Sequence, residues 1–204
     1  GYNLLTYLTD MDYVTYQGIN GPIWALIALD SHEYEIPKAS EGAEQVTRDK
    51  LIDYILGKQL ADGGWALSEN TADPDMTAMA LQALAPYYDS NSEVKAAVDE
   101  ALECLSGIQL ANGGFVSWDT ENMESTAQVI VALTALGIDP AADSRFIKEG
   151  GNPITALLAY TVDGGGFKHT LNGGYNQMAT EQGAYALVAY DRFLNGKTSL
   201  YDMS

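Results

Sequence analysis

Cysteine occurs once in this chain of 204 residues, as Cys104, so no disulfide can form within it. Positive charge is nearly as scarce, with 10 Lys and Arg against 28 Asp and Glu and a formal net charge of −18. A surface of that sign repels polyanions, which excludes nucleic acid as a partner and disfavours anionic membranes. It suits solubility, cations or a basic partner. The two histidines, His32 and His169, stand isolated in polar stretches without the spacing of a metal-ligand set, and no metal or other cofactor is expected. No apolar run approaches the roughly 20 residues that span a bilayer. The longest, VIVALTALGI at 129–138, is half that. A secretory leader is missing too, so the sequence reads as a mature form or an excised piece. Proline is sparse, at 6, beside an apolar fraction of 47%, which argues for an ordered chain with a real core.

Repetition is what the chain has in abundance. QLADGGWAL at 59–67 presents Gln59, Gly63, Gly64 and Trp65, and QLANGGFVS at 109–117 presents Gln109, Gly113, Gly114 and Phe115. A looser copy, YTVDGGGF at 160–167, ends in Gly165, Gly166 and Phe167. Two kinds of helix alternate between these loops. VKAAVDEALECLSGIQL (94–110) lines up Val94, Ala97, Val98, Ala101, Leu102, Leu105 and Ile108 against Lys95, Asp99, Glu100 and Glu103, an amphipathic pattern that DKLIDYILGKQL (49–60) shares. MTAMALQALA (76–85) and STAQVIVALTALG (125–137) carry no charge and are apolar nearly all round, so both faces must be covered. PIWALIALD (22–30) and TEQGAYALVAYDRFL (180–194) belong to that second kind. Thr77, Thr126 and Thr180 hold matching places near their starts, and the helices at 76–85 and 125–137 follow acidic stretches, TADPD and DTENME, suited to helix N-termini.

The unit is therefore a wet helix, an Asp/Asn-Gly-Gly-aromatic loop, a polar run and a buried helix, with a period near 50 residues, as in stacked helical hairpins. Buried helices inside and amphipathic helices outside predict an all-α, two-layer α/α toroid. Repeats fall at about 1–44, 45–91, 92–142 and 143–204 in a single domain. The first helix, NLLTYL (3–8), matches the outer helix PITALLAY (153–160), so the chain begins in mid-repeat. Four hairpins predict an incomplete ring and a piece of a longer protein. Exposed apolar ends of such an arc predict self-association or marginal stability. The loops are expected to be joints, in which glycine lets the chain reverse and the aromatic packs on the next repeat. The alternative is that Trp65, Phe115, Trp118 and Phe167 stack on sugars.

These loops resemble the Gln-aromatic repeat of the squalene cyclase and protein prenyltransferase superfamily. QGINGPIWALIALDS, DPDMTAMALQALAPY and STAQVIVALTALGIDP are similar to Gram-positive surface and secreted proteins with prenyltransferase-like repeats. The resemblance implies an extracellular or cell-wall-associated bacterial protein. More distantly the chain resembles the toroid of transcobalamin and intrinsic factor, which implies that YDRFLNGKTSLYDMS (190–204) precedes a β-rich domain and that a corrinoid-like small ligand is carried.

Three chemistries follow from the resemblance. Class II terpene cyclases are similar at DPDMTA (73–78), which implies Asp75 as a protonating acid with Asp73 beside it. Met76 replaces the last Asp of that motif, and the helices 76–85 and 125–137 lack the aromatics that would face a carbocation. The enzyme alternative is a terpene-cyclase-like or polysaccharide-acting toroid using Asp73 and Asp75, but capping and interaction with the helix dipole account for both acids as well. Zinc-dependent prenyl transfer, with Asp, Cys and His ligands, is not expected, because Cys104 lies on an apolar stripe. The expected function is binding or display without catalysis. Parallel inner helices would gather Asn20, Asp73, Asp75, Glu121, Glu124, Gln177 and Glu181 at one rim, suited to a protein, glycan or small-molecule ligand.

Overall fold

The computed structural model describes residues 3–204. Two compact units emerge, one running through Gln59 and including Tyr201–Ser204, the other Leu60–Leu200.

In the first unit a short 3-10 helix, Leu4–Leu8, precedes α1 (Met11–Thr15), α2 (Asn20–Asp30) and α3 (Arg48–Leu56). The single outer helix expected at 3–8 is thus a 3-10 turn followed by a separate short helix. Asn3 caps the turn at Leu5 N, none of its residues is buried, and Asp10 caps a new start at Asp12 N, so no apolar face carries the first helix onward. Helix α2 packs on α1 and α3 and buries Ile23, Leu26 and Leu29 completely. Arg48 fastens α3 to the end of α2, with Nε 2.6 Å from Asp30 Oδ1 and Nη2 donating to the Leu29 and Tyr34 carbonyls. The chain end returns to this unit, where Met203 N donates to Ser31 O at 2.7 Å and Tyr201 meets Trp24 edge-on.

The second unit is the two-layer arrangement. Helices α4 (Pro74–Leu84), α6 (Met123–Ala135) and α8 (Gln177–Leu194) pack side by side, α5 (Ser92–Ile108) lies on α4, and α7 (Pro153–Leu158) lies on α6. Every residue of α6 from Met123 to Thr134 except Glu124 is buried, the environment its uncharged sequence requires. Pro74 and Pro153 occupy first helical turns, where their missing N–H leaves no bond unmade. A polar stitch crosses the buried layer: Gln82 Nε2 donates to Gln128 Oε1 at 3.0 Å, and Gln128 Nε2 to Gln182 Oε1 at 3.2 Å.

Each Gly loop makes the same turn. Leu60 N donates to Gly64 O, Leu110 N to Gly114 O and Val162 N to Gly166 O, at 2.9, 2.9 and 3.1 Å. Asp62 and Asn112 brace two of them by accepting from Gly64 N and Gly114 N. Gly113 has φ +93°, and a Cβ there would lie 2.5 Å from the Asn152 backbone. Gly64 serves otherwise, because a Cβ would lie 2.7 Å from Thr77 Oγ1. That hydroxyl accepts from Trp65 N at 2.9 Å, as Thr180 Oγ1 does from Phe167 N. Thr126, the matching residue, turns its hydroxyl to Asn122 O at 3.5 Å instead. Trp65 and Phe115 are wholly buried and Phe167 nearly so. Gln109 Nε2 ties its own turn to the next segment, donating to Gly113 O and Phe146 O, both at 3.0 Å.

The polar runs after the second and third turns hold short strands. Strands β1 (Phe115–Ser117) and β2 (Thr120–Asn122) form a hairpin leading into α6, and β3 (Phe167–Lys168) pairs with β4 (Tyr175–Asn176) ahead of α8. The first hairpin turns on Trp118 and Asp119 at φ +51° and +59°, a two-residue turn of the kind that matches strand twist.

Candidate binding rim of the second unit

Both hairpins end at helix N-termini, so their tips and the starts of α6 and α8 share one edge of the second unit, and Ser117 brings the start of α4 to it. The caps are equivalent. Asp73, Asn122 and Asn176 accept from the backbone N–H of Met76, Ser125 and Ala179, each four residues before a matching threonine. Asp73 uses both oxygens: Oδ1 takes Met76 N at 3.0 Å and Oδ2 takes the Ser117 hydroxyl at 2.5 Å.

Asp75 lies in the first turn of α4, as its second residue, and does not cap. Its Oδ1 is buried and without a hydrogen-bond partner. Burial pushes its pKa up to about 6; the neighbouring hydroxyls of Ser125 and Ser117 pull it down, and the negative charges of Asp73 and Glu124 add to the rise. Glu124, at the matching position of α6, pairs with His169, Nδ1 to Oε2 at 2.8 Å, while His169 O accepts from Met123 N at 3.0 Å. His169 is therefore not isolated, as its sequence surroundings suggested; the second hairpin delivers it to α6. Glu121 Oε1 accepts from Asn112 Nδ2 at 2.7 Å and from Tyr160 OH at 3.2 Å. Burial, and then the Glu121 carboxylate, push the Tyr160 hydroxyl well above the usual tyrosine range.

Of the residues expected at one rim, the second unit brings Asp73 and Glu124 into electrostatic reach of Asp75. Glu121 joins them through Tyr160, on which it acts together with Glu124. Gln177 and Glu181 lie exposed on the first turns of α8. Asn20 opens α2 in the first unit. Sequence reasoning missed Ser117, Ser125 and Tyr160. The spacing of the caps from Thr77, Thr126 and Thr180 would have marked Asn122 and Asn176, but nothing local marks the serines. Trp118 differs from the other loop aromatics, being 72% exposed at the hairpin tip. Among the described residues no group of three or more His, Cys, Asp or Glu is placed to hold a metal ion, and no helix is long and apolar enough to cross a membrane. Cys104 is half-buried, and burial raises its thiol pKa.

No family model matches the chain, and no curated protein matches its sequence. Among solved structures it is similar to the protein geranylgeranyltransferase-I of Candida albicans, complexed with GGPP, with 11% identity and a TM-score of 0.57. The likeness covers 85% of this chain and 49% of that one, so the chain spans about half the length of the structure it matches. At that identity the likeness defines the fold class: an all-α segment of a prenyltransferase-like α/α toroid, built of helical hairpin repeats.

Proposed function

We propose that the chain is a non-catalytic binding or display module of a bacterial cell-surface or secreted protein, of the Gram-positive kind its phrases resemble, and that the hairpin rim meets the ligand. One observation carries this: Trp118, 72% exposed, is held at φ +51° on a two-residue turn beside a buried framework. A large apolar ring in a backbone conformation that side chains of its type rarely adopt is a contact residue fixed from below. The flanking acids, Asp73, Asp75, Asp119 and Glu124, suit a neutral or basic partner such as a protein or an uncharged glycan. The test is a thermal-shift screen with cell-wall oligosaccharides, corrinoids, divalent cations and isoprenoid diphosphates on the parent and Trp118→Ala. A ligand that raises the parent's midpoint but not the variant's supports the rim. A ligand that raises both equally moves the site elsewhere.

Acid catalysis is a second reading, favoured by Asp75 alone. Its pKa near 6 suits a carboxyl that gives a proton to an alkene, with Asp73 beside it. Turnover of a polyene by the parent and none by Asp75→Asn would establish it. No product from either protein would end it.

A further inference from the structure

Two serine protons decide what Asp75 can be. A hydroxyl has a single proton to donate. Ser117 gives its own to Asp73 Oδ2, and Ser125 Oγ lies 3.0 Å from Asn122 Oδ1, donating there. Both hydroxyls lie close enough to the Asp75 carboxyl to stabilise its charge if they turn to it, but with their protons on Asp73 and Asn122 they offer it lone pairs, and its Oδ1 is left buried without a partner. An ionised carboxylate is acceptor-only and gains a donor at Oδ1 only by drawing a serine proton from its present partner, whereas a protonated one is itself a donor and fits. The charges around it agree. Asp73 on its own helix and Glu124 on α6 are both negative, and β1 offers the Ser117 hydroxyl. Of the other titratable groups at the rim, His169 pairs with Glu124 and Tyr160 with Glu121 rather than with Asp75.

We propose that Asp75 is a proton-operated latch between α4 and the β1–β2 hairpin. Protonated, Asp75 donates to a serine oxygen and leaves Ser117 bonded to the Asp73 cap. When Asp75 loses its proton to solvent, its carboxylate draws the Ser117 hydroxyl away from Asp73. The bond that holds the hairpin to the α4 cap is then broken, one residue from Trp118. The device makes the exposed tryptophan rigid in mildly acidic surroundings and looser at neutral pH.

The test is carried out on the full chain by following carboxyl carbon signals and amide exchange across residues 115–122 between pH 4.5 and 8. The parent, Asp75→Asn, Ser117→Ala and His169→Gln are compared. The Asp75 carboxyl is expected to titrate near 6. Hairpin protection, corrected for intrinsic exchange, should fall roughly tenfold per pH unit from 4.5 to about 6, roughly 30-fold in all, and level off above. Asp75→Asn, whose amide donates like the neutral acid, should hold high protection at every pH. Ser117→Ala should be loose throughout, and His169→Gln should keep the parent's step. A flat parent profile overturns the latch. So does a step that persists in Asp75→Asn or vanishes in His169→Gln.

Discussion

Adding one methyl group at Gly113 tests whether the repeated loop is held by its neighbours or only by its own turn. Gly113 and Gly165 occupy the same place in their loops, with φ of +93° and +100°. An alanine at either site meets the same backbone penalty, about 1–3 kcal/mol, partly offset by a stiffer unfolded chain. The surroundings differ. At Gly113 the new Cβ would lie 2.5 Å from Asn152 C and O and 2.6 Å from Asn152 N, while at Gly165 nothing lies within 4 Å. Asn152 cannot yield cheaply, because it caps α7 through a reciprocal bond with Thr155. Relieving contacts that short needs a shift of the α7 cap and adds about 1–3 kcal/mol of overpacking. Urea unfolding of Gly113→Ala and Gly165→Ala, compared at equal m-value, should therefore separate them by about 1–3 kcal/mol, with Gly113→Ala the weaker. Midpoints that agree within about 0.5 kcal/mol would refute the idea that the loops lock one repeat onto the next.

Thr77→Val keeps the shape of the side chain but leaves Trp65 N without its acceptor, a loss of about 1–3 kcal/mol in chemical denaturation. Trp65→Ala empties a fully buried site and should lose about 3–5 kcal/mol by the same measurement. Asp75→Asn should raise stability at pH 8 and leave it unchanged at pH 3. The folded pKa of about 6 lies above the ordinary 3.8, so the folded state binds more protons between these values, and the parent loses stability as pH rises through that window. About two pH units correspond to at most ~3 kcal/mol, and the carboxyl's residual contact with water brings the expected gain lower. Calorimetry across pH checks it, and a parent curve that rises from pH 4 to 7 relative to the variant's would contradict the sign.

Much of this architecture was legible from spacing alone. The alternation of charged-faced and all-apolar helices, the 50-residue period and the Asp/Asn-Gly-Gly-aromatic signature are local facts, because helical periodicity and left-handed glycine are properties of short segments. The wet face of α5 and the buried girth of α6 follow directly from their residues. The hairpins did not announce themselves. Trp118-Asp119 lacks the Asn-Gly signal of such turns, and strands of two or three residues form only where the helix they enter is already packed. The short α7 and the 3-10 start of the chain were equally hidden, since both matched the outer-helix pattern without an apolar face long enough to continue it.

The candidate site divides along the same line. Carboxylates at the starts of buried helices could be named in advance, because capping is written within four residues of the helix. Their chemical states could not. Asp73 meets Ser117 across 44 residues and Glu124 meets His169 across 45. Asp75 is set apart by donors that are committed elsewhere, which no spacing along the chain encodes. By itself the sequence determined the repeat, the helices and their caps, because each is decided by neighbours within a turn or two. Only the tertiary structure decided which carboxyl lacks a donor and which aromatic faces solvent, because proton supply and burial are set by atoms that packing, not chain order, brings within 3 Å.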